Sequence, residues 1–273
     1  MSKSISIMRN KAVMVGSAAL LMAAVFVLPG INNPVFAAEK TVYVSVDRNI
    51  FGGTDSVIYE PEQVTISDSS TILDAVKQAA GSTNVLGSSG YISGMVDAGS
   101  DNISFNASDY QAENAGLFTN VMFDSRVIET NQTDDQLMEK EFSGLGGWLF
   151  TVNEATTYNG GANWYTVGTA LSNVPDNAVI RLEYSLDMGA DLGMQNASYL
   201  PSTISNYGSF YYLDGYASTP TNPNAVTHPR ADRSELIRDL ANNTSDPDWN
   251  TALAVLKNLK ATQAQVDAAA ALI

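Results

Sequence analysis

The hydrophobic positions that follow residue 38 first fall into simple alternation. In Thr41-Val42-Tyr43-Val44-Ser45-Val46, the side chains of Val42, Val44 and Val46 share one side, the period of a half-buried strand. A second short strand is expected near residues 57–59 or 63–66. The spacing then changes: Ile72, Ala75, Val76 and Ala79 stand at i, i+3, i+4 and i+7, with hydroxyl residues before them and Gly81 behind, which predicts a helix over 69–81. Residues 82–116 are rich in Gly, Ser, Asn and Asp and show little periodicity, so they are expected to form a long irregular insertion. Strand character returns at 118–123 and 126–129. It returns again where Trp148, Phe150 and Val152 share a side. The clearest strand is 179–186, with Ile180, Leu182, Tyr184 and Leu186 pointing one way and Arg181, Glu183 and Ser185 the other. Strands with a single early helix predict a mixed α+β domain whose sheet packs one face on that helix.

The C-terminal pattern is helical throughout. Asp232-x-x-Glu235 opens a helix with Leu236, Ile237 and Leu240 inward, and Asp246-Pro247 precedes a second with Trp249, Leu253 and Leu256 on one stripe. Thr262-x-x-Gln265 is a capping box for a third, with Val266, Ala269, Ala270 and Ile273 at helical spacing. Between sheet and helices, residues 196–230 hold Tyr199, Tyr207, Phe210, Tyr211, Tyr212 and Tyr216 and then Pro220, Pro223 and Pro229. The tyrosines suit either a contact surface or a segment wrapping back on the sheet, and the prolines suit a domain boundary.

Two stretches resemble known families. The order of strand, Thr71-Ile72-Leu73-Asp74-Ala75 helix, Gly147-Trp148-Leu149-Phe150-Thr151-Val152-Asn153, Gly160-Gly161-Ala162, and 178–184 closing with 187–193 resembles the DUF4430 family. That family is similar to the C-terminal domain of transcobalamin and intrinsic factor, so the resemblance implies a β-grasp-like (ubiquitin-like) mixed sheet over about residues 40–195. Glu154 stands where the family usually has Gly after Val-Asn, a position where Gly tolerates positive φ and Glu does so badly. Asp176-Asn177 replaces the usual Gly-Asp, a milder change because Asn accepts turn conformations. The segments 252–256 and 261–270 resemble the FIVAR module, which implies a small C-terminal helical bundle of the kind repeated in cell-surface proteins.

The resemblance also implies a ligand. In the vitamin carriers this module covers one face of the corrinoid while a separate helical barrel supplies the other, and no segment here is long or helical enough to be that barrel. Trp148, Phe150, Trp164, Tyr165 and Tyr184 could offer apolar and π surface to a flat molecule. Asn153, at the end of the Trp148 motif, is grouped with them as ligand-binding. Plain core packing is the competing role, above all for Phe150 and Tyr184. A pocket lined by Trp148, Trp164 and Tyr165 would favour ligand binding; their burial would favour architecture.

Composition narrows the chemistry. Lys3, Arg9 and Lys11 precede the uncharged apolar run 12–28, Pro29-Gly30 and Val35-Phe36-Ala37, the pattern of a signal peptide over 1–37 cut before Ala38. The remainder carries 11 basic and 29 acidic groups, a formal charge of −18, which disfavours nucleic acid and anionic membranes as partners. Membrane association is expected only through an uncleaved leader. With no cysteine there is no thiolate metal site or nucleophile. The one histidine, His228, lies in the proline-rich segment, which leaves a serine nucleophile without a base. Asp187 and Asp191, like Asp97, Asp101 and Asn102, lack the spacing of a calcium loop and read as turn formers, so no metal site is assigned. The organisation expected is thus leader 1–37, DUF4430-like domain 38–195, linker 196–230 and FIVAR-like module 231–273, with the third helix still in pattern at the last residue, as in a truncated product or a piece of a longer surface protein. An enzyme would require a carboxylate pair converging in a cleft, which no sequence pattern selects. Two functions lead, both non-catalytic, secreted or at the cell surface, and free of a required cofactor. One is a small-ligand module for which cobalamin or another corrinoid is the named candidate; the other is an adhesion or spacer protein that contacts an extracellular protein or glycan.

Overall fold

A computed structural model describes residues 38–48, 57–88, 90–97, 135–142, 146–156, 165–186, 231–258 and 261–273. The leader, the expected strands at 118–129, Asp101, Asn102, Trp164, residues 187–193, the tyrosine-rich segment 196–230 and His228 lie outside the described residues. The architecture is α+β. Strands β1 (Glu39–Asp47), β2 (Val57–Ser67), β6 (Gly147–Val152), β7 (Ala155–Thr156) and β8 (Ala178–Ser185) form one sheet in the order β2-β1-β8-β6-β7. The central pair β1–β8 is parallel, from Val42 opposite Ala178 to Asp47 opposite Glu183, and the other pairs are antiparallel.

The two alternative positions expected for the second strand, 57–59 and 63–66, both belong to one longer strand. Pro61 lacks an N–H, and it is tolerated because β2 is an edge strand whose register shifts between the partners of Val44 and Val46. Helix α1 (Ile72–Ala80) follows. Thr71 Oγ1 accepts the Asp74 N–H at 3.2 Å while Asp74 Oδ2 accepts the Thr71 N–H at 2.9 Å, so the helix starts in a reciprocal cap. The N–H groups of Ile72 and Leu73 donate to the carbonyls of Thr169 and Val167, which satisfies first-turn donors and docks the helix on the segment before β8. Gly81, at φ +89°, ends it.

The irregular insertion expected over 82–116 is partly wrong. Strands β3 (Val85–Ser88) and β4 (Tyr91–Val96) form an antiparallel hairpin, extended by β5 (Gln136–Met138) into a second, three-stranded sheet. The glycines and serines that hide the alternation are what close packing demands: a Cβ on Gly87, at φ +138°, would sit 2.2 Å from the Tyr91 carbonyl oxygen.

Both faces of the larger sheet are covered near its centre. Val42, Val44, Val46, Ile180, Leu182 and Val152 face Ile72, Leu73 and Val76 of α1 in the main core. On the opposite face, Tyr43 and Val179 share a second core with helices α2 (Ser234–Asn242), α3 (Trp249–Leu256) and α4 (Gln263–Ala270). Leu236, Ile237 and Leu240 of α2 fill this core, the Trp249 indole donates to the Leu240 carbonyl at 2.8 Å, and Asn242 donates to the Tyr43 hydroxyl at 3.2 Å. Helix α4 opens with the expected Thr262–Gln265 cap. Buried Arg233 ties the start of α2 to the far end of α3 through the carbonyls of Ala231 and Asn258. No helix among the described residues is long and apolar enough to cross a membrane.

Candidate functional site

The residues nominated for a flat ligand are distributed as follows. Trp148 on β6 and Tyr184 on β8 are opposite one another across the strands and meet edge to face, ring centroids 5.3 Å apart at 71°. The Trp148 indole N–H donates to the Leu137 carbonyl at 2.9 Å, and the Tyr184 hydroxyl lies 2.6 Å from the Glu141 carbonyl oxygen and 2.9 Å from that of Met138. Both rings are buried, and their polar atoms fasten β5 and the turn after it to the main sheet. Phe150 is buried in the same core, and Tyr165 is half-buried against it. Asn153 sits apart, in the two-residue turn between β6 and β7, where its Oδ1 accepts the Val179 N–H at 2.9 Å. The structure therefore brings Trp148, Phe150 and Tyr184 together as core, with Asn153 as a turn residue.

A different set of side chains stands out on the face that also carries the helices. Strand alternation puts Ser45 and Asp47 of β1, Arg181, Glu183 and Ser185 of β8, and Thr151 of β6 on that side, and every one of them is fully buried. Arg181 is the centre. Its Nε donates to Asp47 Oδ2 at 2.5 Å, its Nη1 to Glu154 Oε1 at 3.0 Å, and its Nη2 lies 3.2 Å from Glu183 Oε1. One guanidinium thus serves three carboxylates from two strands and a turn. Among the described residues the opposite oxygen of Asp47, Oδ1, has no hydrogen-bond partner, nor do Ser45 Oγ and Thr151 Oγ1. Such unpaired buried groups are uncommon and usually mark a place where folding stability has been traded for something else.

Glu154 reaches the cluster from an unusual backbone. Asn153 at φ +52° and Glu154 at φ +58° form the left-handed turn that joins β6 to β7, a backbone that glycine adopts more readily than glutamate. A glutamate there costs about 1 kcal/mol of backbone energy relative to glycine, and its carboxylate–Arg181 contact is the visible offset. Asn177, at φ +55°, also adopts a left-handed conformation, as an asparagine can.

The electrostatics follow from burial. Removal from water pushes the Asp47 carboxyl up to about 6, with Arg181 pulling down against that shift and Glu183 and Glu154 adding to it. Burial alone would ease the proton off Arg181, but Asp47, Glu183 and Glu154 hold it above its ordinary value, so the guanidinium stays charged. A second buried pair, Arg48 with Asp97, lies where β1 ends. Among the described residues no group of three His, Asp or Glu side chains is placed to hold a metal ion.

No protein-family model, curated protein or solved structure matches the chain. The reading of the sequence missed the Arg181 cluster. The signal was present as charged residues alternating with apolar ones on β8, but that pattern is the same for a face in water and for a face that is buried.

Proposed function

We propose that this protein is a non-catalytic module acting outside the cytoplasm, an adhesion or spacer protein that contacts an extracellular protein or glycan through its outer surface. The observation that carries this reading is the use of Trp148 and Tyr184: both are buried, and their N–H and O–H groups are engaged with backbone carbonyls of the neighbouring sheet. Aromatic residues committed in this way add rigidity between two sheets and present no face to a corrinoid. The leader-like N-terminus and the formal charge of −18 beyond it support an extracytoplasmic place. The β2-β1-β8-β6 order, with a parallel central pair and α1 across one face, supports a β-grasp-like, DUF4430-like domain. Three short helices with a capping box at Thr262 support a FIVAR-like module.

Titration of the purified protein with cyanocobalamin and cobinamide, followed by calorimetry and tryptophan fluorescence, tests this. The expected result is no heat and no quenching at ~100 µM. Saturable binding at micromolar or tighter, about −8 kcal/mol or better, would overturn the proposal in favour of a small-ligand module.

A further inference from the structure

The Arg181 cluster has no place in surface contact, since its members are buried. Asp47 is the member with the least support. Among the described residues its one ionic partner is a guanidinium that also serves Glu154 and Glu183, and one of its oxygens meets no donor there. Register places Glu183 directly opposite Asp47 on the neighbouring strand, so a second carboxylate stands beside it. On the other side β2 offers the uncharged Val57, and β6 contributes Thr151 and Leu149 to the same face. A carboxylate so placed is favoured in its neutral form, because a proton removes the like-charge repulsion and turns a bare acceptor into a hydroxyl.

We propose that Asp47 is a proton-binding site that makes the folded sheet more stable in mildly acidic surroundings than at neutral pH. The direction follows from linkage. The carboxyl rises from an ordinary 3.8 to about 6 on folding, so the folded chain holds a proton that the unfolded chain has released. The resulting stability is fully present below the ordinary value and is lost as pH climbs through about 6. Asp47 lies opposite Glu183 toward the end of β8, while the turn that carries Glu154 meets β8 at its start, beside Val179, so Arg181 links the two along β8 and the loss falls on its contact across the β1–β8 pair.

The test compares thermal unfolding of the protein and its Asp47→Asn variant from pH 4.5 to 7.5. The amide keeps the shape of the neutral acid and cannot titrate. Relative to the variant, the unaltered protein is expected to lose roughly 5–10 °C of Tm across this range. Parallel profiles would overturn the proposal. Carboxyl carbon NMR of the unaltered, folded protein gives the same answer without a variant: an Asp47 midpoint near 6 supports it, and one below about 4.5 ends it. Glu183→Gln, which removes the opposing charge, should move that midpoint to lower pH.

Discussion

The two faces of the main sheet are built from the same strands by opposite chemistry. On β8, Ile180, Leu182 and Tyr184 face α1 in an apolar core, while Arg181 and Glu183, one residue away in each case, lie in a charged cluster that is just as deeply buried. The apolar face gains from leaving water whatever the details of its packing, at about 25 cal/mol for each Å² covered. The charged face gains only while its ion contacts hold, because every carboxylate there has given up its hydration. Burial is therefore the same on the two sides, but tolerance to change is not.

The sharpest way to break this comparison is Arg181→Met. It leaves Asp47, Glu154 and Glu183 buried without the guanidinium that joins them, and urea unfolding should show a loss of about 4 kcal/mol, partly recovered by adding Asp47→Asn. A loss under about 1 kcal/mol would mean that the cluster is well solvated and that the two faces differ less than their chemistry implies. Next in size is Leu182→Ala on the apolar side, expected to cost about 3 kcal/mol through lost transfer energy and the cavity left behind. Unlike Arg181→Met, it should cost the same at pH 5 and pH 7, and a pH-dependent loss would show that the two faces are coupled. The smallest effects serve as a control: Thr71→Ala on α1 and Thr262→Ala on α4 remove chemically equivalent caps on opposite sides of the sheet, and each should cost ~1 kcal/mol. A large difference between them in the same urea series would mean that one helical layer unfolds before the other.

Much of the layout was legible because it rests on local periodicity. The valines of β1, the Trp148 and Ile180 alternations, the Thr71 and Thr262 boxes and the inward stripe Leu236, Ile237 and Leu240 all declare themselves within a few residues. What failed to show depends on partners distant in the chain. β3 and β4 were obscured because Gly87 and Gly94 sit where neighbouring chain leaves no room for a side chain, and such crowding is invisible until Tyr91 and Met138 are in place. β2 was legible only as a short strand on one side or the other of Pro61, whose missing donor matters less at a sheet edge with shifted register. The site was less legible than the fold. Aromatic residues at Trp148 and Tyr184 look alike whether they hold a ligand or a second sheet, and only the carbonyls of Leu137 and Glu141 decide which atoms they meet. Arg181 and Glu183 carried no local mark of their burial, since alternation assigns a side and says nothing of what covers it. The polar face also receives α2, where the pattern had called for a helix on one face only.

The parallel pairing of β1 with β8 has a mechanical consequence for the way the sheet bears a pull. Glu39 begins one strand at one end of the ladder, and Ser185 ends the other strand at the opposite end, with six residue pairs in register between them. Tension applied across those two points would load the connecting backbone hydrogen bonds together in shear, whereas an antiparallel hairpin pulled from its open end gives way one bond at a time.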